Sequence, residues 1–411
     1  MIYTHTFSNG IRIAHKYVNH TKVAHCGFVL DIGSRDEQPH QQGIAHFWEH
    51  MAFKGTKKRK AYHIINRLEA VGGELNAETS KEKVAFYASF LDKHYEKALE
   101  LLADVTFEAT FPPHQLEKER KVILEEMSMY LDSPDEAIQD EFDALVFENH
   151  PLGNNILGTR ESIQSFQRED FIAFFRENLD TQKIVFTSVG NIPFDKVLKM
   201  ATKYLAHIPA QSRQNQRLPF THYTPKQKQK EVPTLQAHCV IGLPSYSFQA
   251  KERLPFALLT NFLGGASLNS RLNMALREKH GYVYSVEANY QAFFDTGLFS
   301  ISFATDKKYL EKSLAIIWKE LQNLTQKTLT SWQMHHIKEQ LLGQLAMSEE
   351  SNLNFMLMMG KSLIDYDYIE PIEEIFKQIE KIQASDLQEV AQEIFQLDRF
   401  SMFQYLPKEQ D

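Results

Sequence analysis

Cysteine is scarce in this chain, because only Cys26 and Cys239 occur among its 411 residues. Two cysteines do not make the disulfide framework of a small secreted protein, and they suit a reducing compartment. The first residues contain no apolar run of signal-peptide length, and no later stretch is long enough to span a bilayer. We therefore expect a cytoplasmic protein with no membrane as a partner.

Clusters of positive charge are also missing. The chain has 45 lysine and arginine residues against 53 aspartate and glutamate residues, so its formal net charge is −8. The lysine-rich stretches Lys54–Lys60 and Lys226–Lys230 are short and typical of solvated loops. We therefore expect no nucleic acid as a partner. With 43% hydrophobic residues, a chain of this length predicts a large core divided over two or more domains.

The most informative stretch that is present is His46-Phe47-Trp48-Glu49-His50. On a helix, side chains four residues apart lie on the same face, so both imidazoles can reach one cation. Glu49 precedes the second histidine directly, so its carboxylate can lie beside a metal without coordinating it. This inverted His-x-x-Glu-His order is a catalytic zinc motif. The competing interpretation is coincidence, because the chain contains 17 histidines and 53 acidic residues.

A catalytic zinc ion needs three protein ligands and one open position, so a third ligand must be found. The segment Gln115–Leu131 has apolar residues near helical spacing and predicts an amphipathic helix. Glu119 and Glu126 are two turns apart and share one face of that helix. Either glutamate can complete the ligand set, and the other can orient a histidine as a hydrogen-bonding partner. The alternative is a solvated acidic face on a surface helix.

Together these residues resemble the pitrilysin/insulinase family of zinc metallopeptidases, in its mitochondrial-processing-peptidase-like branch. That family carries the inverted motif followed by a glutamate ligand at the distance that separates His50 from Glu126 here, 76 residues. The resemblance covers essentially the whole chain, in separated motifs that follow the family's order. The further matching segments are 72–80 (GGELNAETS), 150–153 (HPLG), 158–159 (GT) and 276–285 (LREKHGYVYS).

The resemblance implies a ligand set and a role for each neighbouring carboxylate. It assigns one Zn2+ ion per chain to His46, His50 and Glu126. It makes Glu49 the general base that takes a proton from water. Glu119 falls where the family keeps a supporting glutamate, so we expect it to take part in catalysis.

Residues outside the zinc motif are expected to bind substrate. The resemblance implies that Arg277 and Tyr284, from the second half, hold the substrate and steady the oxyanion that forms when water attacks a peptide carbonyl. It places Asn76 and Ala77 on the strand that binds substrate, after the glycine turn that precedes them. If that strand is an exposed edge, a peptide can add to it by backbone hydrogen bonds. The alternatives are that Arg277 makes a surface ion pair, that Tyr284 is an ordinary strand residue, and that the segment of Asn76 and Ala77 is a simple hairpin.

The sequence departs from the family's pattern at two of the quoted positions. Trp48 stands where the family more often has leucine, and His280 stands where arginine is common. Neither residue is expected to bind metal or to act in catalysis. We expect Trp48 to be able to reshape the wall next to the metal, and hence the choice of substrate side chain.

The chain is predicted to be a divergent duplication. The tripeptide Ala-His-Cys begins a strand-like run at 24–26 and again at 237–239, about half the chain apart. The polar segment 210–233 has no periodic apolar face and predicts a linker. We therefore predict an N-terminal zinc-binding catalytic domain over 1–209 and a homologous C-terminal domain over 234–411. The resemblance implies an α+β fold, in which each domain is a mainly antiparallel sheet packed with helices.

The expected function is a zinc-dependent endopeptidase that hydrolyses peptides or unfolded polypeptide segments. Two other functions compete with it: a non-catalytic structural or partner subunit of the same family, and a metal hydrolase that acts on something other than peptides. The retained ligand set favours the enzyme, because inactive relatives lose members of it. The resemblance also implies a homodimer, or a heterodimer with an inactive relative.

Overall fold

The structure is a computed structural model that describes residues 2–408. Its residues divide into two compact units, each built from three segments of the chain. The first unit contains 1–127, 154–218 and 347–369, and the second contains the three segments between and after these. No helix of the described residues is both long enough and apolar enough to cross a membrane.

Both units are organised around a β-sheet. The strands, in chain order, are β1 (Ile2–Thr6), β2 (Arg12–Tyr17), β3 (Val23–Leu30), β4 (Glu74–Thr79), β5 (Val84–Leu91), β6 (Ile184–Gly190), β7 (Gln227–Val232), β8 (Ala237–Ser245), β9 (Val283–Ala292), β10 (Gly297–Thr305) and β11 (Ser401–Pro407). The first sheet has the order β1-β2-β6-β3-β5-β4, and the second has the order β7-β11-β8-β10-β9. Neighbouring strands are antiparallel except for β2 with β6 and β7 with β11, which are parallel.

Helices account for most of the remaining chain. In chain order they are α1 (Ile44–Ala52), α2 (Ala61–Glu69), α3 (Tyr95–Phe107), α4 (Pro113–Leu131), α5 (Pro134–Val146), α6 (Arg160–Ser165), α7 (Arg168–Asn178), α8 (Phe194–Leu205), α9 (Arg253–Gly264), α10 (Leu310–Gln326), α11 (Ser331–Glu350), α12 (Asn352–Tyr366), α13 (Ile372–Lys381) and α14 (Ala384–Ile394). A π-helical turn covers Asn273–Glu278, and short 3-10 turns connect other elements.

The first sheet is covered on both faces. Strand residues alternate between faces, so Phe28 of β3 points into the core formed with α1 and α3 while Val29 points the other way. On the second face, α12 packs across β3 and β6 and buries Met356 and Met359. This double cover explains why β6 is buried along its whole length.

The second sheet follows the same rule with different helices. Helices α9, α10 and α14 build the core on one face, where β8 contributes Cys239 and Ile241. Val240 points to the opposite face, where α5 contributes Phe142 and β11 contributes Phe403. The two-domain α+β fold with mainly antiparallel sheets is therefore confirmed.

The compact units differ from the predicted boundaries 1–209 and 234–411. Helix α5 belongs to the second unit, and α12 belongs to the first. The physical reason is that the apolar face of a helix can pack on any sheet within reach. The position of a helix in the sequence therefore does not determine on which sheet it packs.

The predicted linker 210–233 also has more structure than expected. Its end forms β7, which pairs with β11 at the edge of the second sheet. Earlier in the segment, the guanidinium of Arg217 lies 2.9 Å from the Asp31 carboxylate and 2.8 Å from that of Asp36. These ion pairs attach this part of the segment to the first unit, although its composition is polar and irregular.

Candidate metal centre

The residue just before helix α1 has a conformation that favours glycine. Gly43 has φ +92°, and a Cβ atom there would lie 2.6 Å from the carbonyl oxygen of Leu157. Glycine cannot cap the helix with a side chain, and Glu37 replaces that cap from the preceding loop. Its carboxylate accepts hydrogen bonds of 2.9 Å from the backbone N–H groups of Gly43 and Ala45. Burial raises the pKa of Glu37.

Helix α1 presents His46 and His50 side by side, with ring centroids 4.6 Å apart. Glu126 approaches them from α4. Its Oε1 lies 3.7 Å from Nε2 of His46, and its Oε2 lies 3.5 Å from Nε2 of His50. One ligand atom from each of the three residues lies within 4.8 Å of the others. Among residues 2–408, this is the group of histidine, cysteine and acidic side chains that converges closely enough to hold a metal ion.

A hydrogen bond from the other side of the ring orients His50. Its Nδ1 lies 3.0 Å from Oε1 of Glu119, and the second oxygen of Glu119 lies 2.7 Å from the ammonium group of Lys54. Although Glu119 is largely buried, its hydrogen bonds with His50 and Lys54 outweigh that burial and lower its pKa. An ionised Glu119 that accepts the Nδ1–H leaves the Nε2 lone pair of His50 directed at Glu126 and the metal position.

The electrostatics of the group suit a divalent cation. Burial, with a smaller effect from His50, lowers the pKa of His46 to about 3, so its imidazole is neutral at pH 7. A neutral imidazole is the form that binds metal. Burial also raises the pKa of Glu126, and the charge of His50 opposes that rise. Two imidazole nitrogens and one carboxylate oxygen are a donor set that fits zinc.

Glu49 lies beside this group without belonging to it. Its Oε2 accepts a hydrogen bond of 2.5 Å from the hydroxyl of Thr79 on β4. Burial raises the pKa of Glu49, and the hydrogen bond from Thr79 opposes that rise. The charges of His50 and Glu126 also act on the Glu49 carboxylate. A carboxylate with raised proton affinity, held next to a cation site, can act as a base.

The strand that carries Thr79 lies at the edge of the first sheet. On one side β4 pairs with β5, and its other side pairs with no strand among the described residues. Asn76 is exposed, whereas Ala77 is half-buried against the core that contains α1. The turn and the strand expected from the sequence are present, with the left-handed Gly72, φ +73°, in the turn, and the strand meets the edge condition on which peptide addition depends.

The other pair of predicted site residues lies in the second unit. Arg277 is in the π-helical turn, and Tyr284 follows near the start of β9. The guanidinium carbon of Arg277 lies 5.4 Å from the centroid of the Tyr284 ring, and the Tyr284 residue is 81% exposed. The two side chains therefore form an exposed cation–π pair.

Comparisons with known proteins identify the family of the chain. A model of the insulinase family (peptidase family M16) matches residues 12–160, and a model of the peptidase M16 inactive domain matches residues 165–341. YmxG of Bacillus subtilis, named an uncharacterized zinc protease, is 32% identical over 97% of both chains. The chain belongs to the M16 family. A second uncharacterized zinc protease, from Rickettsia bellii, is 31% identical over 92% of this chain and 90% of its own.

Two solved structures share the fold. A peptidase M16 inactive domain from Pseudomonas fluorescens superposes with a TM-score of 0.91 at 18% sequence identity, over 99% of this chain and 98% of its own. A protease from Helicobacter pylori superposes with a TM-score of 0.89 at 21% identity, over 99% of this chain and 100% of its own. At these identities the likeness concerns the fold.

The sequence did not predict two polar residues that lie next to the metal centre. Thr79, which holds Glu49, lies in the quoted 72–80 segment but carries no signal of its own. Lys54, which holds Glu119, is four residues after His50, so helical spacing from the motif could have suggested it.

The two departures from the family's pattern have different surroundings. Trp48 is 1% exposed and packs against Phe86 and Phe175, with ring centroids 5.1 and 4.5 Å away. Its indole therefore fills the core behind α1. His280 is exposed and stacks on Tyr282.

Replacing the orienting carboxylate is expected to weaken metal binding without abolishing it. In Glu119→Gln, an amide oxygen can still accept from His50, but the negative charge and the ion pair with Lys54 are lost. We expect the affinity for Zn2+ to fall by roughly 10- to 100-fold, measured by competition with a chromophoric chelator. Glu125→Gln, an exposed neighbour on α4, is the matched control. Equal affinities in both variants would remove Glu119 from the metal centre.

Proposed function

We propose that this M16 protein is a zinc-dependent endopeptidase that hydrolyses peptides or unfolded polypeptide segments. The observation that carries the proposal is the convergence of His46, His50 and Glu126 within 4.8 Å, beside the carboxylate of Glu49. The names of the relatives support a zinc protease. The complete ligand set argues against the alternative, a non-catalytic subunit of the same family.

In this proposal His46, His50 and Glu126 hold one zinc ion per chain. When bound, zinc supplies a positive charge that polarises a carbonyl oxygen and makes a water molecule more acidic. Glu119 holds the His50 ring so that Nε2 faces the ion, and Lys54 keeps Glu119 ionised. The three ligands leave a coordination position open for the reaction, which is the arrangement of catalytic rather than structural zinc sites.

Glu49 moves the protons. Its carboxylate accepts a proton from the attacking water and later delivers it to the nitrogen of the leaving amine. Two features of its surroundings support this role. Burial increases the proton affinity of the carboxylate, and the hydroxyl of Thr79 fixes one of its oxygens. The other oxygen is then the one that receives the proton.

The free edge of β4 is proposed to bind the substrate backbone. A peptide that adds to this edge pairs with the main-chain N–H and C=O groups of every second residue in the segment of Asn76 and Ala77, and such pairing accepts many sequences. Because Thr79 lies on the same strand and holds Glu49, one element would position both the peptide and the base. An edge strand binds extended, unfolded segments, because their main-chain N–H and C=O groups are free to pair with it.

The division of labour expected from the sequence is part of the proposal. The N-terminal half, 1–209, supplies the metal centre, and the C-terminal half, 234–411, supplies the substrate-binding Arg277 and Tyr284. The exposure of this pair and its guanidinium and hydroxyl donors support contact with a substrate carbonyl oxygen.

The setting of the enzyme is proposed in the same way. We propose the processing-peptidase-like branch, a homodimer or a heterodimer with an inactive relative, and a cytoplasmic location. The two cysteines, Cys26 and Cys239, are free and buried, which is compatible with a reducing compartment.

Removal of the metal tests the proposed reaction directly. The purified full chain should cleave an internally quenched fluorogenic peptide whose termini are both blocked, because an endopeptidase needs no free end. A chelator should reduce this rate to background, and one equivalent of Zn2+ should restore it. Cleavage that persists after zinc removal, or that occurs only with a free terminus, would contradict the zinc endopeptidase. A zinc-loaded protein that cleaves no peptide would favour the non-catalytic subunit.

A further inference from the structure

The second unit contains a cavity that the proposed reaction does not use. It has a volume of about 610 Å³ and lies between α5 and one face of the second sheet. Strand β9 lines it with every second residue from Ser285 to Gln291, and β10 lines it with Leu298, Ser300 and Ser302. This volume lies within the range of small-molecule sites.

The lining is acidic and offers acceptors. Its carboxylates come from Asp135, Glu136 and Asp143 on α5 and from Glu287 on the opposite wall. No lysine or arginine is among the residues that line the cavity. Amide and hydroxyl groups add further hydrogen-bond acceptors between them. A cavity with this lining attracts cations and repels anions.

The imidazole of His238, the one basic side chain in the lining, already has two polar partners. Nδ1 of His238 lies 2.6 Å from the carboxylate of Asp135, and its Nε2 lies 3.2 Å from the hydroxyl of Thr234. His238 is therefore held at the wall. Glu136 and Glu287 are both exposed, and their carboxylates make no hydrogen bond or ion pair with other residues in 2–408. These two carboxylates are therefore available to bind a ligand in the cavity.

The floor carries a second, independent sign of a ligand. Ser300 is 6% exposed, and its hydroxyl makes no hydrogen bond to any other residue of the described chain. Its neighbours Phe299 and Ile301 point into the core on the other face, so the Ser300 side chain points to the cavity. The residue is buried, but its hydroxyl is accessible from the cavity, so a bound molecule can complete its hydrogen bonding.

The spacing of the carboxylates excludes a bare metal ion. No three histidine, cysteine or acidic ligand atoms converge here as they do at the first-unit centre, within the part of the chain described. Asp135 and Asp143 are eight residues apart on α5, which is about 12 Å along the helix axis. Glu287 lies across the cavity on β9. Charges spread in this way match an elongated ligand with several cationic groups.

We propose that this cavity binds an elongated organic cation that carries two or more ammonium or guanidinium groups. A cationic nitrogen near Glu287 and another near Glu136 would each receive a charge-assisted hydrogen bond. The Ser300 hydroxyl would accept a hydrogen bond at the floor. Such groups occur in free polyamines and in basic side chains of short peptides. The site does not depend on the peptidase activity of the first unit.

Isothermal titration calorimetry of the zinc-loaded full chain with spermidine tests the proposal. At low ionic strength we expect saturable binding of one spermidine per chain, which weakens as salt is raised. Glu287→Gln should weaken it by about five- to tenfold, since the amide oxygen can still accept a hydrogen bond but no longer carries a charge. Ser300→Ala should weaken it by about two- to fivefold, since a neutral hydrogen bond is lost. Glu389→Gln, an exposed carboxylate on α14, is the matched control and should bind as the unaltered protein does.

Two further titrations distinguish polyamines from basic peptides as the ligand. N1,N8-diacetylspermidine, which has the same backbone and fewer charges, should bind at least tenfold more weakly. A Lys-Gly-Lys amide is titrated in a Glu49→Gln background, so that it is not cleaved. Tighter binding of the peptide than of spermidine assigns the site to basic peptides, and the reverse assigns it to polyamines. Absence of saturable binding by both, or equal losses in Glu287→Gln and Glu389→Gln, overturns the proposal.

Discussion

Glu49→Gln is expected to abolish most peptide hydrolysis while the metal stays bound. Glutamine has nearly the same shape as glutamate and can still accept the hydrogen bond from Thr79, but it cannot take a proton. General acid–base groups contribute roughly 10²- to 10⁴-fold to a rate, so we expect kcat to fall by about that factor. The measurement pairs a quenched-peptide assay with zinc analysis of the same sample.

The control for this variant is Glu69→Gln, which changes an exposed carboxylate on α2 of the same unit. It should retain full activity and one zinc ion per chain. Full activity in Glu49→Gln would sink the assignment of this residue as the base. Loss of zinc together with activity would instead make Glu49 part of the ligand set, which its position outside the converging group does not favour.

Glu126→Gln is expected to remove stoichiometric zinc. The neutral amide oxygen is a poorer ligand than a carboxylate, and the loss leaves only His46 and His50. We expect the zinc affinity to fall by more than the roughly 10- to 100-fold typical of a residue that only orients a ligand. Metal analysis after gel filtration gives the zinc content, and peptide cleavage should fall in proportion.

The adjacent Glu125 offers a close control for the same helix. It is exposed, and Glu125→Gln should retain both zinc and activity. Comparison with Glu119→Gln then ranks Glu119, Glu125 and Glu126 of α4 by their effect on zinc. If Glu119→Gln loses more zinc than Glu126→Gln does, the third ligand has been assigned to the wrong turn of the helix.

The choice between Glu119 and Glu126 shows where the sequence stops being informative. Both lie on one face of α4, and helical spacing alone permits either as a ligand. Family resemblance favoured Glu126. In the structure Glu126 meets Nε2 of both histidines, whereas Glu119 meets Nδ1 of His50. Seven residues of helix place the two backbone positions about 10 Å apart along the axis. The side chains therefore reach opposite nitrogens of the His50 ring, and the crossing of α1 and α4 decides which carboxylate faces the metal position.

Sequence patterns also failed to name the sheet to which a helix belongs. Helix α5 has an apolar face that includes Phe142, and α12 has one that includes Met356 and Met359. Each face predicts burial, but not against which strands. Hydrophobic packing does not depend on separation along the sequence. For this reason α5 and α12 belong to compact units other than those that the predicted boundaries gave them.

The sequence by itself determined the elements whose signals are local. The spacing of His46 and His50 needs only a helix, the turn at Gly72 and the strand after it need only their own residues, and the M16 motifs identify the family. Tertiary structure alone decided that Thr79 holds Glu49, that Lys54 holds Glu119, and that an acidic cavity opens beside Ser300. These are contacts across space between polar groups, and their energies depend on burial and geometry that residue order does not encode.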